Sequence, residues 1–392
     1  MSDKVKSVEG IRGIACLVVL LSHLSLIFYP YLHGQRENLI KSNFDRYIFD
    51  YPFGFIYSGT SAVFVFFCLS GYILTYACEK KHEILHASTN MLVARYIRLV
   101  LPVFSSVLLC YLTLSFIPDL RNDLPWISSW GRNISNEDGV IDVIYNGFFS
   151  SVFLADNKYN GVIWTMQIEL IGSYILLLSI PIIRNLIYKK TSLLIIIVIL
   201  VMCLPGKHGI CFSSIFLGSL IYWIKEIRSK VLSGLLLIFG LYLAGFKSMN
   251  SWYSYVNKLS TIILPGGVLD NYYFIPMLSG FILVLISVRS NVINFVTNNI
   301  ISETLGKLSF SAYLIQLPVF YIVTPIVFDF ISKRINSYDI SSLSSSVISI
   351  ISIYFASFFF YQYVDKKSIS ISKYFTHYVV KHDIRHKLLQ KV

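Results

Sequence analysis

Two residues in the first apolar segment have side chains that could take part in chemistry. His23 lies inside a run of aliphatic residues, and Arg12 precedes it by eleven positions. Eleven steps of 100° bring both side chains to one helix face, about 16 Å apart along the axis. That face would carry a cation at the cytoplasmic membrane surface and a titratable base near mid-depth, so His23 is a candidate general base. The alternative is an imidazole that only makes a structural hydrogen bond.

A carboxylate occupies a similar position in a later apolar segment. Glu169 lies about eight residues into the segment 161–183. An ionised group in hydrocarbon costs at least about 2.5 kcal/mol, so such residues usually have a partner or a function. Glu169 is therefore a candidate catalytic residue, and a carboxyl group with purely structural hydrogen bonds is the alternative.

A pair of arginines lies just before another apolar segment. Arg95 and Arg98 are three residues apart, so on a helix they project from neighbouring positions. Two guanidinium groups in this arrangement are suited to binding phosphate. Anchoring to lipid headgroups on the cytoplasmic side would explain either arginine equally well.

Two uncharged polar side chains also lie inside apolar segments. Ser70 falls in the stretch Phe66–Gly71, and Gln316 falls in a stretch that begins with Leu308. Small residues let helices approach closely, and a serine can hydrogen-bond between them. The Ser70 stretch taken alone is therefore explained by packing, whereas Gln316 is a further polar group in lipid.

The composition indicates which elements must position these residues. Of the 392 residues, 55% are hydrophobic and 14% are charged, and the mean hydropathy is +0.65. A soluble domain is nearer a quarter charged, so the composition is typical of a membrane protein. The Lys and Arg residues behind the net charge of +12 lie in small clusters between apolar runs, which argues against nucleic-acid binding.

The apolar runs predict an all-α integral membrane protein with about ten transmembrane helices. If the N terminus is cytoplasmic, most of the 33 Lys and Arg residues fall in inside segments, in agreement with the positive-inside rule. Both termini are then cytoplasmic. We predict a transmembrane domain over 1–365 and a basic cytoplasmic tail over 366–392. The predicted spans are 11–30, 55–78, 99–118, 161–183, 191–205, 209–224, 231–246, 272–288, 308–328 and 341–364.

Two longer polar segments accompany these spans. The segment 119–160 is acidic and external in this topology, and it is the best candidate for a re-entrant or lid segment. The tail alternates Lys and His with apolar residues, which is typical of an interfacial segment on anionic lipid. The first span has a basic start like a signal peptide, but no A-x-A-like cleavage site follows it, so we predict that it is retained.

The order of these motifs resembles the membrane-bound acyltransferase-3 family. The stretch 8–15, followed by His23, is similar to a family segment in which an Arg and a His are separated by ten residues. Arg95 and Arg98 match the family's Arg-x-x-Arg element. The similar segments cover nearly the whole chain. The others are Phe66–Gly71, Trp164–Glu169, Leu308–Leu314 and Tyr361–Asp365.

Three features differ from the pattern of that family or of some of its members. Gln316 stands where the family often has His, which indicates a role in positioning substrate instead of moving protons. The second span begins with Ser58, Gly59 and Thr60, where a Gly-rich variant is more usual, and this difference affects helix packing only. The sequence also ends soon after the tenth span, whereas some members carry an extra extracytoplasmic hydrolase-like domain, so we expect the membrane part itself to complete the acyl transfer.

The resemblance implies transfer of an acyl group, usually acetyl from acetyl-CoA, to a hydroxyl of a surface glycan or its lipid-linked precursor. The expected location is the bacterial cytoplasmic (inner) membrane, and acetyl-CoA would be a co-substrate, with no permanently bound cofactor or metal. Arg95 and Arg98, with Arg12, would hold the CoA phosphates at the cytoplasmic face. His23 would deprotonate the acceptor hydroxyl, and Glu169 would orient the imidazolium. The expected substrate-positioning residues are Ser70, Trp164, Tyr313 and Gln316.

Two other functional classes remain open at this point. In a transporter or flippase, His23 and Glu169 would form a proton relay and the arginines would contact an anionic cargo. Transporters usually have paired halves with matching broken helices, and the sequence has no such symmetry. A scaffold without catalysis would not require Arg, His and Glu at these depths. Release of CoA from labelled acetyl-CoA distinguishes the enzyme from both.

Overall fold

The computed structural model describes residues 3–34, 37–117, 124 and 139–389. The described chain is almost entirely helical, and the helices in order are α1 Asp3–Phe28, α2 Asn43–Asp50, α3 Gly59–Glu79, α4 Ile84–Phe116, α5 Val140–Phe153, α6 Trp164–Asn185, α7 Lys189–Cys203, α8 Gly206–Trp223, α9 Lys230–Ala244, α10 Ser254–Asn257, α11 Asn271–Arg289, α12 Asn294–Thr297, α13 Ile300–Ser332, α14 Tyr338–Phe360 and α15 Lys366–Leu389. Two-residue strands β1 Ile263–Leu264 and β2 Gly267–Val268 form an antiparallel pair with Ile263 opposite Val268.

Each predicted span corresponds to a helix, which confirms an all-α membrane protein. Seven helices in the described part of the chain are long and apolar enough to cross a membrane, namely α1, α3, α4, α6, α11, α13 and α14. The helices α7 and α9 have only 15 residues each, about 22 Å, which is short for a hydrocarbon core of about 30 Å. The count of ten spans and the orientation of the termini stay predictions.

The first helix packs in parallel with α13, in a constant register. The thiol of Cys16 donates to the carbonyl oxygen of Ser309 at 3.4 Å, and two helical turns later His23 contacts Gln316. Both partners lie 293 positions further along the chain, so the two helices run in the same direction. Successive spans cross a membrane in alternating directions, so the first and ninth of the ten predicted spans should run in the same direction, as α1 and α13 do.

Glycines hold α1 and α13 at close distance. A Cβ atom at Gly13 would lie 2.6 Å from the backbone oxygen of Ser302, and one at Gly306 would overlap the backbone oxygen of Glu9. Because both neighbours are backbone atoms, no side-chain movement can relieve these clashes. Close approach at small residues is a common way to pack helices in membranes. Here it fixes the height of the α1 side chains relative to α13.

Side-chain caps set where two of the long helices begin. The side chain of Asn299 accepts a hydrogen bond from the backbone of Ser302 at 2.9 Å at the start of α13. The side chain of Asp270 accepts one from the backbone of Tyr272 at 2.9 Å at the start of α11. Asn and Asp are preferred at this position because they satisfy a backbone N–H that has no partner inside the helix.

The segments 29–34, 37–58 and 245–270 lie together over one end of the bundle, and we call them the cap. They follow α1 and α9 and precede α3 and α11, so all four helix ends meet there. The indole nitrogen of Trp252 donates to the backbone oxygen of Asp50 at 3.0 Å, and the Asn250 amide donates to the backbone oxygen of Phe49. In the predicted topology this end is extracytoplasmic.

Two predicted segments differ from their description in the sequence. Residues 119–123 and 125–138 of the proposed lid, 119–160, lie outside the described residues, and its later part contains α5, which packs against α4 and α6. The predicted domain boundary at 365 falls inside a continuous helix, because α14 runs through a π-helical turn at Tyr361–Asp365 into α15, which packs on α4. The division into two domains stays a prediction.

Candidate functional site

His23 projects from α1 onto a glutamine of α13. Its Nδ1 lies 2.7 Å from Gln316 Oε1, and the amide nitrogen of Gln316 donates to the backbone oxygen of Tyr313 at 2.8 Å. That second bond sets the orientation of the amide, so its oxygen is the atom that faces the ring. An amide oxygen can only accept, hence Nδ1 carries the proton and donates. In the neutral ring Nε2 is then the basic nitrogen.

The partner of His23 is itself held firmly. Gln316 is completely buried, and one turn earlier on α13 the hydroxyl of Tyr313 donates to the backbone oxygen of Val162 at 2.6 Å. Thr165, at the start of α6, lies 2.9 Å from the same hydroxyl. The ring of Phe320 meets the imidazole edge-on, with centroids 6.4 Å apart. The predicted positioning residues Tyr313 and Gln316 therefore belong to one hydrogen-bonded group that fixes the His23 ring.

The contacts of α1 with α3 give the height of His23 relative to the other helices. Ser22 packs against Gly59, where a Cβ atom would lie 2.7 Å from the serine hydroxyl. Gly59 is the first residue of α3, so His23 lies level with the start of α3 and five residues before the end of α1 at Phe28. The depth of His23 in the membrane stays a prediction.

Glu169 lies at a different height from His23, and we call the surroundings of the two residues the two layers of the site. In its layer Glu169 forms a largely buried ion pair with Arg95. One carboxylate oxygen accepts a hydrogen bond from the Arg95 guanidinium and another from the Ser70 hydroxyl at 2.6 Å. Arg95 also donates to Ser70 at 3.0 Å and to Ser173 at 3.1 Å. The side chains of Arg95 and Glu169 are only 12% and 17% exposed, so the serines supply contacts that water would otherwise make.

The predicted contact between Glu169 and His23 is therefore absent from the described contacts of Glu169. Ser70 lies eleven residues after Gly59 on α3, which places Glu169 about 16 Å below the level of His23. Gln316, not Glu169, orients the imidazole. Sequence gives the depth of Glu169 from one end of its own helix, but it does not say which residues of other helices share that depth. A catalytic role for either residue stays a prediction.

Arg12 and Arg98 lie close to the Glu169 layer. Arg12 is ten residues before Ser22 on α1, about 15 Å below it, and it forms an ion pair with Glu9 at 3.2 Å. Arg98 lies within electrostatic range of Arg12, Arg95 and Glu169. Its side chain is exposed and makes no hydrogen bond or ion pair to the part of the chain that the structure describes. Arg98 is thus an arginine of this layer without a hydrogen bond or an ion pair to the described residues.

Arg95 and Arg98 do not form the surface pair that their spacing predicts. Arg95 meets Ser70, which is nine residues, or about 14 Å, from the end of α3 at Glu79. The charge of Arg95 is neutralised by Glu169. The sequence could not reveal this difference, because it depends on α6 supplying its acid to one arginine only.

A further acid of this layer was matched to the family but not predicted as a site residue. Asp365 is buried in the π-helical turn before α15, and it lies within electrostatic range of Arg98 and Arg12. The signal available in the sequence was an acid directly after an apolar run of more than twenty residues. Asp365 is therefore an acid of the same layer as Arg98.

The last predicted site residue, Trp164, turns towards another helix. It is the first residue of α6, and the ammonium of Lys207 on α8 lies over its ring at 4.5 Å from the centroid. Its neighbour Thr165 is the residue that contacts Tyr313. Among the described residues no group of three or more His, Cys, Asp or Glu is arranged to hold a metal ion.

The two layers give a site with two distinct chemical capacities. The layer near the cap offers one basic nitrogen on a rigidly held ring. The layer about 16 Å further along α1 offers positive charge, with Arg98 available to an anion. Arg12 and His23 lie on one face of α1, so a single elongated molecule could contact both layers.

Comparison with known proteins gives a family but no individual relative. A family model described as an acyltransferase domain, Acyl_transf_3, matches residues 5–362. No curated protein and no solved structure matches the chain. The matched range contains every residue of the two layers except Asp365.

Proposed function

Because the chain belongs to the acyltransferase-3 family and is a membrane acyltransferase, we propose that it transfers acetyl from acetyl-CoA to a hydroxyl of a surface polysaccharide or its lipid-linked precursor. His23 is the general base in this proposal. The observation that carries it is the hydrogen bond from His23 Nδ1 to Gln316 Oε1, with the amide oriented by Tyr313. This bond supports a ring whose Nε2 can take a proton.

The proposed reaction is a direct transfer. Nε2 of His23 accepts the proton of the acceptor hydroxyl while the hydroxyl oxygen attacks the thioester carbonyl. The new C–O bond forms, the C–S bond breaks, and the imidazolium returns its proton to the CoA thiolate. The products are the acetyl ester and CoA. The Gln316 oxygen stabilises the imidazolium as a dipole, because the Nδ1–H that it accepts becomes a stronger donor when the ring is charged.

The donor is held by the second layer. Arg98 and Arg12 bind the phosphates of CoA, and the pantetheine arm extends along α1 towards His23. The separation of about 16 Å between the two layers supports this arrangement, since the reactive thioester lies at the far end of a long arm. The Arg95–Glu169 ion pair contributes by joining α4 to α6, which positions Arg98 one turn further along α4.

The direction of transfer follows from the predicted topology. Acetyl-CoA enters from the cytoplasm at the arginine layer, and the glycan approaches from the cap side of the bacterial cytoplasmic membrane. Both termini are cytoplasmic in this proposal. A proton-coupled transporter is less well supported, because the proposed relay residues His23 and Glu169 lie about 16 Å apart in height and bind different partners.

The test uses purified full-length protein and acetyl-CoA labelled in the acetyl group. We expect CoA release together with label in the glycan, and we expect His23→Gln to lower turnover about 10²-fold to 10⁴-fold, because glutamine can hydrogen-bond but cannot take the proton. His208→Gln, on α8, is the matched control and should retain turnover. Near-normal turnover of a well-folded His23→Gln protein would contradict the mechanism.

A further inference from the structure

A second basic cluster lies in the cap, and the mechanism above does not use it. His33 follows α1 in the turn Pro30–His33, and its Nε2 lies 2.8 Å from the hydroxyl of Ser25. That hydroxyl donates its own hydrogen to the backbone oxygen of Ser22 at 2.8 Å. The serine oxygen therefore accepts from His33, and Nε2 of His33 carries a proton. This bond ties the cap to the segment of α1 that carries His23.

The remaining members of the cluster are Tyr57 and Lys247. The ring of Tyr57 meets the His33 ring edge-on, with centroids 5.6 Å apart. The ammonium of Lys247 lies over the same tyrosine ring, 5.3 Å from its centroid. The tyrosine is buried, and both basic residues are half-buried. Tyr57, in the cap segment 37–58, thus contacts a histidine of the segment 29–34 and a lysine of the segment 245–270.

The charge of Lys247 has no protein counter-ion in the described ranges. Its ammonium makes neither an ion pair nor a hydrogen bond to a residue that the structure describes, and Tyr57 is its ring contact. Burial lowers the pKa of Lys247 to about 8, and burial together with the Lys247 charge lowers the pKa of His33. A partly desolvated ammonium without an anion is costly, which is a reason to expect a ligand that supplies one.

The position of the cluster indicates which substrate would supply the anion. His33 lies within electrostatic range of His23, and Ser25 is two residues beyond His23 on α1. The arginine layer proposed for CoA lies about 16 Å away in the opposite direction. A molecule that approaches His23 from the cap side therefore comes close to the cluster of His33 and Lys247, and in the proposed reaction that molecule is the acceptor.

We propose that Lys247, with His33 and Tyr57, forms a subsite for an anionic group of the acceptor glycan. This inference rests on the proposed function and adds the substrate class: the acceptor carries a negative charge near the hydroxyl that is acetylated. A lysine binds an anion as a point charge, without the planar fork of an arginine. The anion is the carboxylate of an acidic sugar or the phosphate that links the glycan to its lipid.

The experiment measures binding to the purified full-length protein in the absence of acetyl-CoA. The probes are a neutral oligosaccharide, the same oligosaccharide with one uronic acid, and polyprenyl phosphate. We expect at least one anionic probe to bind about tenfold tighter than the neutral probe. Lys247→Met and Lys247→Gln should remove this preference, and Lys247→Arg should keep it. A preference limited to the uronate or to the polyprenyl phosphate identifies the source of the anion.

Lys258→Met is the matched control, because Lys258 also lies over a tyrosine ring in the same cap segment but is exposed. It should keep the preference for the anion. Equal binding of all three probes by the wild type would overturn the proposal, and so would a preference that survives both Lys247→Met and Lys247→Gln. CoA release with no charge preference refutes this subsite alone, whereas Lys247-dependent binding without any CoA release refutes the acetyl transfer alone.

Discussion

The layer around His23 and the layer around Glu169 differ in the charge of the partners that they give to a titratable side chain. His23 hydrogen-bonds a neutral amide, whereas Glu169 and Arg95 neutralise each other with serines around them. A proton can enter or leave the first layer without breaking an ion pair. In the second layer, removing either charge leaves the other buried and uncompensated. This difference is the basis for proposing that the first layer transfers a proton and that the second layer stabilises the bundle and binds an anion.

The largest effect is expected from a substitution that breaks the ion pair of the second layer. Arg95→Met should destabilise the protein by about 3–5 kcal/mol, because it leaves the Glu169 carboxylate buried without its partner. Thermal unfolding in detergent measures this loss, and adding Glu169→Gln to Arg95→Met should recover part of it. Lys333→Met is the matched control, since its ion pair with Asp329 at 2.6 Å joins two exposed side chains, and it should cost less than about 1 kcal/mol. Equal losses in both variants would contradict a buried pair.

A smaller effect is expected when the neutral partner of His23 is removed. Gln316→Leu should lower turnover about tenfold to a hundredfold with little change in the affinity for CoA, because the imidazolium loses a charge-assisted hydrogen bond of about 1.5–3 kcal/mol. Gln167→Leu on α6 is the control, and turnover should survive it. If Gln316→Leu had normal turnover, another group would have to orient the ring.

The sequence predicted which helices carry the residues of both layers, but it predicted less well which residues contact one another. Arg12 and His23 share a helix face as their spacing requires, and the apolar runs correspond to helices. The pairing of Glu169 with Arg95, and of His23 with Gln316, depends on how far each helix extends beyond its apolar run. Periodicity gives a face and an approximate depth. It does not give the lateral order of helices, which here depends on backbone contacts at glycines.

The contacts within the cap are even harder to predict from the sequence. His33 and Lys247 are more than two hundred residues apart and belong to loops without a periodic pattern. Nothing in their local sequence indicates a shared contact, and the segments matched to the family by motif do not include them. Only the meeting of four helix ends brings them to Tyr57.

The next prediction tests whether Arg98, unlike the other arginine of α4, binds the phosphates of CoA. Arg98→Lys should weaken CoA binding about tenfold, because a lysine lacks the planar fork that binds phosphate oxygens in pairs. Arg334→Lys, at an exposed position at the end of α13, is the control for the change of residue type. Equilibrium binding of CoA to the purified protein measures both. Unchanged affinity in Arg98→Lys would return this arginine to the role of a lipid anchor.

The smallest expected effect is a pH dependence of acceptor binding that arises from Lys247 in the cap. Burial lowers the pKa of Lys247 to about 8, so the ammonium is mostly charged at pH 7 and loses its charge as the pH rises through about 8. The groups that face it do not titrate in this range, because burial raises the pKa of Tyr57 and lowers that of His33 well below 6.5. The KM for an anionic acceptor should therefore rise up to about tenfold between pH 7 and pH 9, relative to the KM for a neutral acceptor. Lys247→Arg should flatten this rise, since a guanidinium keeps its charge throughout. A pH dependence that is the same for both acceptors, or that persists in Lys247→Arg, would assign the titration to another group.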